Sequence, residues 1–144
     1  MTLKFDNTTL EQLHTHLEVT YPEEGAGFLL GTANGTSRQV TAILPIENAR
    51  EDAARHNRFL LTPRDMAHAE DDADARGLTI LGIFHSHPDC PNVPSDFDRE
   101  WALPWYSYTI SRVDEGKAVS IRSWQLEDDR AAYFEEEILV SNEQ

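Results

Sequence analysis

Helix and strand patterns interleave along this chain, which predicts an α/β domain: a mixed, mostly antiparallel sheet flanked by helices. Three observations carry that expectation. Leu10, Leu13 and Leu17 recur at i, i+3 and i+7, a single apolar helical stripe. Thr62-Pro63-Arg64-Asp65 combines a cap, a proline at the first helical position and an acid in the first turn. Asn34-Gly35 and Asp114-Glu115-Gly116 each separate two runs of strand character, as hairpin turns do.

In order along the chain, Asn7 or Thr8 is expected to cap the first helix, and Pro22 to end it. The short apolar run 26–30 reads as a buried strand. Val40, Ala42 and Leu44 alternate on the strand returning from the Asn34-Gly35 turn. Residues 45–56 are polar and read as a loop, followed by a short strand at 59–61. The helix opened at Thr62 should close at Gly77. LTILGIF, residues 78–84, is then a strand bounded by Gly77 and Pro88. Ser95-Asp96-Phe97-Asp98 has the form of a second capped helix start, and residues 106–113 and 117–126 form a hairpin. The tail 131–140 fits helix or strand.

At 144 residues the chain is expected to be one domain, large enough to hold a core without a metal or disulfide. Twelve Lys and Arg against 26 Asp and Glu give a net charge of −14. That balance excludes nucleic acid and anionic lipid surfaces as main partners, since both repel it. No apolar run reaches the ~18–20 residues of a membrane span, and residues 1–10 alternate polar and apolar without the core of a signal peptide. The expected location is cytoplasmic. Cys90 is the only cysteine, so neither an intrachain disulfide nor a Cys-rich zinc site can form. A homodimer is neither required nor excluded. The acidic clusters at 70–74, 127–129 and 135–137 are short and read as solvated faces.

The informative segment is FHSHPDCPNVPSDFD, residues 84–98. His85 and His87 lie two apart at a strand end, so both imidazoles project from one face while Ser86 points away. Asp98 follows eleven residues after His87, in the first turn of the next predicted helix, where a loop can return its carboxylate to the pair. Two His and one carboxylate are the donor set of a catalytic zinc site whose fourth position is left to water. Ser95 would cap the same helix, with its hydroxyl near that corner. Either half alone is an ordinary pattern; together they are specific. The donor types alone also admit a 2-His-1-carboxylate iron(II) oxygenase, although the order of the ligands here is the reverse of the usual one.

His85-Ser86-His87-Pro88, six residues, Ser95, two residues and Asp98 resemble the signature of the JAMM (MPN+) metallopeptidases. The stretch PEEGAGFLLG, residues 22–31, is similar to that family's second motif, whose glutamate matches Glu24 and not Glu23. Similarity continues through Asn57-Arg58-Phe59, Thr62-Pro63 and Ile121-Arg122-Ser123-Trp124, so the resemblance covers a core of about 3–138 within a single 1–144 domain. It is nearest to the small stand-alone bacterial members.

The resemblance implies a single-domain MPN (cytidine-deaminase-like) fold and one Zn²⁺ per chain, held by His85, His87 and Asp98. It implies Glu24 as the general base and Ser95 as donor to the tetrahedral oxyanion. The implied activity is hydrolysis of an amide or isopeptide bond at the C-terminal tail of a ubiquitin-like or sulfur-carrier protein. The alternative is a non-catalytic MPN scaffold, a class that has usually lost metal ligands that are all present here. The similar DNA-repair-associated RadC proteins carry a His-Asn-His-Pro variant that this chain lacks.

The remaining candidate residues read as ordinary ones. His14 and His16 fall on different faces of a helix and read as surface residues. His56 and His68 have no partner at metal spacing. Cys90 reads as a plain loop thiol, and Trp101, Trp105 and Tyr106 as core or pocket wall. Nucleotide-binding, zincin and zinc-deaminase motifs are absent.

Overall fold

Seven strands and two helices account for the regular structure of the computed structural model, which describes residues 2–46, 63–94 and 102–141. In chain order they are β1 (Thr2–Asp6), α1 (Asn7–Thr20), β2 (Ala26–Asn34), β3 (Ser37–Ile46), α2 (Pro63–Arg76), β4 (Thr79–Pro88), β5 (Ser107–Asp114), β6 (Lys117–Leu126) and β7 (Tyr133–Ser141). The expected strand at 59–61, the loop beyond residue 46 and the helix start at 95–98 lie outside the described residues.

The strands pair in the order β1-β3-β2-β4-β5-β6-β7 and close into a barrel. This corrects the expected sheet flanked by helices. The cause is β1, which the sequence reading did not assign to any element. It pairs in parallel with β3 on one side (Thr2↔Ser37 to Phe5↔Val40) and with β7 on the other (Thr2↔Glu137 to Asp6↔Ser141). The tail that fitted helix or strand is therefore a strand, and together they remove both sheet edges. The sheet is mixed: β4–β5 is a third parallel pair, and β2–β3, β2–β4, β5–β6 and β6–β7 are antiparallel.

Two clusters of buried side chains divide the core. Leu13 and Leu17 of α1 join Leu3, Phe5, Leu29, Val40, Leu81 and Phe84. Ala69 and Ala73 of α2 join Phe28, Leu30, Ile83, Tyr106 and Tyr108. β2 serves both, which is why its run is apolar at consecutive positions rather than alternating. Each fully buried Leu or Phe contributes about 1.5–3 kcal/mol relative to exposure. The cap of α1 is Asp6, one residue before the expected positions, with a carboxylate oxygen accepting from Thr9 N at 2.7 Å. Gly77 ends α2 with φ +68°, as expected. Among the described residues, no helix is long and apolar enough to cross a membrane.

β4 and β5 approach each other closely at Gly82, where an added Cβ would lie 1.8 Å from the carbonyl oxygen of Ser107. This contact holds β4 in the middle of the barrel wall, between β2 and β5. Its C-terminal end then carries the two histidines into the region where α1 runs into β2.

Candidate active site

β4 runs four residues beyond the apolar stretch that announced it, through His85, Ser86, His87 and Pro88. The two imidazoles share a face, as the strand period requires. They are 1% and 7% exposed, and their Nε2 atoms are 3.2 Å apart. Nδ1 of His87 lies 2.7 Å from the carbonyl oxygen of Pro91. A carbonyl can only accept, so Nδ1 carries the proton and Nε2 presents its lone pair. Asp89, at φ +56°, turns the chain after Pro88 and allows that return contact.

This geometry fits a tetrahedral metal. Two nitrogens each about 2.0–2.1 Å from zinc stand about 3.3 Å apart, close to the separation already present. The hydrogen bond to Pro91 is the kind that orients a ligating imidazole and fixes its tautomer. Among the described residues, no group of three His, Cys, Asp or Glu side chains is brought together. Asp98 and Ser95, the other members of the expected set, lie outside the described residues, as do His56 and Trp101.

Glu24 comes to the same place from the other side of the β2–β4 ladder. It lies in the link between α1 and β2, two residues before Ala26, which pairs with His85. It is 7% exposed, unusual for a carboxylate. The Cys90 thiol, exposed on the loop after His87, is pushed up first by partial desolvation and then by the Glu24 carboxylate. Glu23, its neighbour, lines the adjoining cavity and is not buried with it.

A cavity of about 530 Å³ adjoins Glu24, with His16, Tyr21, Gly25, Pro45 and Ile46 among its walls. His16, like His14, departs from the surface placement expected of it. It is half-buried, with its ring edge-on to Phe84 at 6.0 Å between centroids and its Nε2 atom withdrawn from solvent. Burial lowers its pKa, partly offset by a hydrogen bond with the Ala26 backbone. His14 is likewise half-buried and lowered by burial, with Glu18 acting against it. The signal was available: His16 stands one turn from Leu13, on the flank of the apolar stripe, and such stripes are often more than 100° wide. His68 is exposed on α2. Tyr106 is core, while Trp105 is 56% exposed beside it.

The model of prokaryotic homologues of the JAB domain matches residues 6–127. A Thermus thermophilus protein named a probable TtuB-protein conjugate cleaving protease is 30% identical over 120 residues, 78% of this chain and 76% of that one. A Pyrococcus furiosus protein named a desampylase is 33% identical over 82 residues, 57% of this chain and 54% of that one. A Desulfitobacterium hafniense protein with a solution structure superposes at a TM-score of 0.85 with 30% identity, covering 98% of this chain and 94% of its own.

Proposed function

Because this chain belongs to the family of prokaryotic JAB-domain homologues, we propose that it is a zinc metallopeptidase that hydrolyses the amide or isopeptide bond at the C-terminal tail of a ubiquitin-like or sulfur-carrier protein. The activities named for its Thermus and Pyrococcus relatives support that reading. The observation that carries it is local. Two buried imidazoles present Nε2 atoms 3.2 Å apart, and a buried glutamate flanks the same strand end.

His85 and His87 would hold the zinc, with Asp98 as the third ligand assigned by the sequence pattern. When bound, zinc acidifies a water and polarises the scissile carbonyl. Glu24 takes a proton from the attacking water and delivers it to the leaving amine. Its burial keeps bulk water from competing for that proton. Ser95, assigned like Asp98 from the pattern, donates a hydrogen bond to the oxyanion as it develops. His87 is held in its ligating tautomer by Pro91. Every position of the five-residue set is present in the chain, which speaks against the scaffold reading.

The test uses a ubiquitin-like protein extended beyond its terminal Gly-Gly. The purified chain should carry about one zinc, as the three-ligand site requires, and should release the extension. A chelator should stop the reaction and added zinc restore it. Iron in place of zinc would support the oxygenase. Zinc bound without cleavage of several such carriers would favour the scaffold.

A further inference from the structure

Glu24 sits in a short irregular link, residues 21–25, which no strand ladder supports. A base on such a link would wander unless something fixed it. The Glu23 N–H donates to the Thr20 carbonyl oxygen at 2.9 Å, and two side-chain contacts tie the link across to Ser86, next to His87, and to Asp89, two residues beyond it.

The first is at Gly25. The β2–β4 register ends at Ala26↔His85, so the next pair along would be Gly25 and Ser86. There the backbone N–H of Ser86 donates to the carbonyl oxygen of Gly25 at 3.0 Å. The return bond is made by a side chain: Gly25 N–H donates to Ser86 Oγ at 2.9 Å. Ser86 is fully buried. Gly25 is also pressed onto α1, where an added Cβ would lie 2.4 Å from Thr20 Oγ1 and 2.9 Å from Leu17 Cδ2.

The second contact is at Tyr21, the other end of the link. Its hydroxyl donates to Asp89 Oδ2 at 2.5 Å. Asp89 is itself braced by the β5–β6 hairpin: its N–H donates to the Val113 carbonyl at 2.8 Å, and its Oδ1 accepts from Glu115 N at 2.8 Å.

We infer that Ser86 and the Tyr21–Asp89 pair are positioning residues that clamp the link carrying Glu24 onto the strand carrying both histidines. The inference rests on Glu24 acting as the base. The residue between the two histidines, which points away from the site, thereby sets where the base stands relative to them.

The experiment compares Ser86→Ala, Ser86→Thr and Tyr21→Phe with the unsubstituted protein. Steady-state cleavage, zinc content and amide hydrogen exchange of Gly25 in zinc-free protein are measured for each. A misplacement on the order of 1 Å costs about 10²-fold in rate, so Ser86→Ala should lower kcat by about 10- to 100-fold. KM and zinc content should stay within about two-fold, the signature of lost transition-state positioning rather than lost binding. Gly25 exchange should speed up at least about ten-fold, since its buried acceptor is gone. Ser86→Thr keeps the hydroxyl and should recover most of kcat. Tyr21→Phe removes only an exposed hydroxyl and so tests the clamp even if Ser86→Ala does not fold; its kcat should fall by about three- to ten-fold, the net worth of one solvent-exposed hydrogen bond. Unchanged kcat in either folded variant, or a fall that tracks zinc loss, overturns the clamp while leaving the metallopeptidase reading intact. Failure of the unsubstituted, zinc-loaded protein to cleave overturns that reading instead.

Discussion

At the scale of single residues, the site is a problem of proton placement. Glu24 is buried in the link next to the strand end that carries two imidazoles with Nε2 atoms 3.2 Å apart. Glu24→Gln preserves volume and removes the proton acceptor. It should leave zinc content unchanged and lower kcat by about 10²–10⁴-fold, the span typical of a lost general base; single-turnover cleavage with zinc analysis on the same sample checks both. His87→Ala should lose zinc and activity together. His14 and His16 supply a separate prediction. Burial lowers both pKa values, so the native state holds them neutral when the unfolded chain would already take up protons. The unfolded state therefore binds more protons below its own pKa of about 6.5, and stability falls as pH drops through and below that value. The contribution is fully retained above it. Replacing both with Gln should flatten the dependence: the difference in urea midpoint between pH 7.5 and 5.5, measured on zinc-free protein, should shrink relative to the unsubstituted chain.

At the scale of elements, α1 and β4 do most to set the site. Leu17 is fully buried against the cluster containing Leu29 and Phe84, and its Cδ2 also bounds the seat of Gly25. Leu17→Ala should cost about 2–5 kcal/mol, read from chemical denaturation. It should also reduce kcat more than Leu3→Ala does, because Leu17 bounds the seat of Gly25 next to Glu24. β4 shows what the sequence made legible and what it hid. The two-residue period placed both imidazoles on one face and Ser86 on the other, and the structure agrees. What the period could not give was what Ser86 meets, because Gly25 lies 61 residues away along the chain and is brought there by strand pairing. The cap of α1 differed by one residue for a reason that lies outside the local pattern. Asp6, Asn7 and Thr8 are all good caps, and strand pairing of β1 through Asp6 fixes where extended backbone stops.

At the scale of the molecule, the expected class failed on one short element. Leu3 and Phe5 alternate with polar residues and are fully buried, so the strand signal of β1 was present. Its meaning depended on two partners far along the chain, Ser37–Val40 and Glu137–Ser141. Local pattern carries no record of such pairing, so a flanked sheet and a closed barrel look alike until the register is known. Closure then makes a prediction. Residues 2–6 cover one edge of β3 and one of β7, and without them both would present unpaired backbone groups. A chain lacking residues 1–5 retains Asp6 as a cap but loses the closing strand. It should be less stable than the full chain by more than Phe5→Ala alone, about 3–5 kcal/mol, and should self-associate through the exposed edges. Amide exchange at Val40 and Leu139 together with size-exclusion chromatography reads both effects. A monomer with both amides still protected would mean that β1 is an accessory to the sheet rather than the strand that closes it.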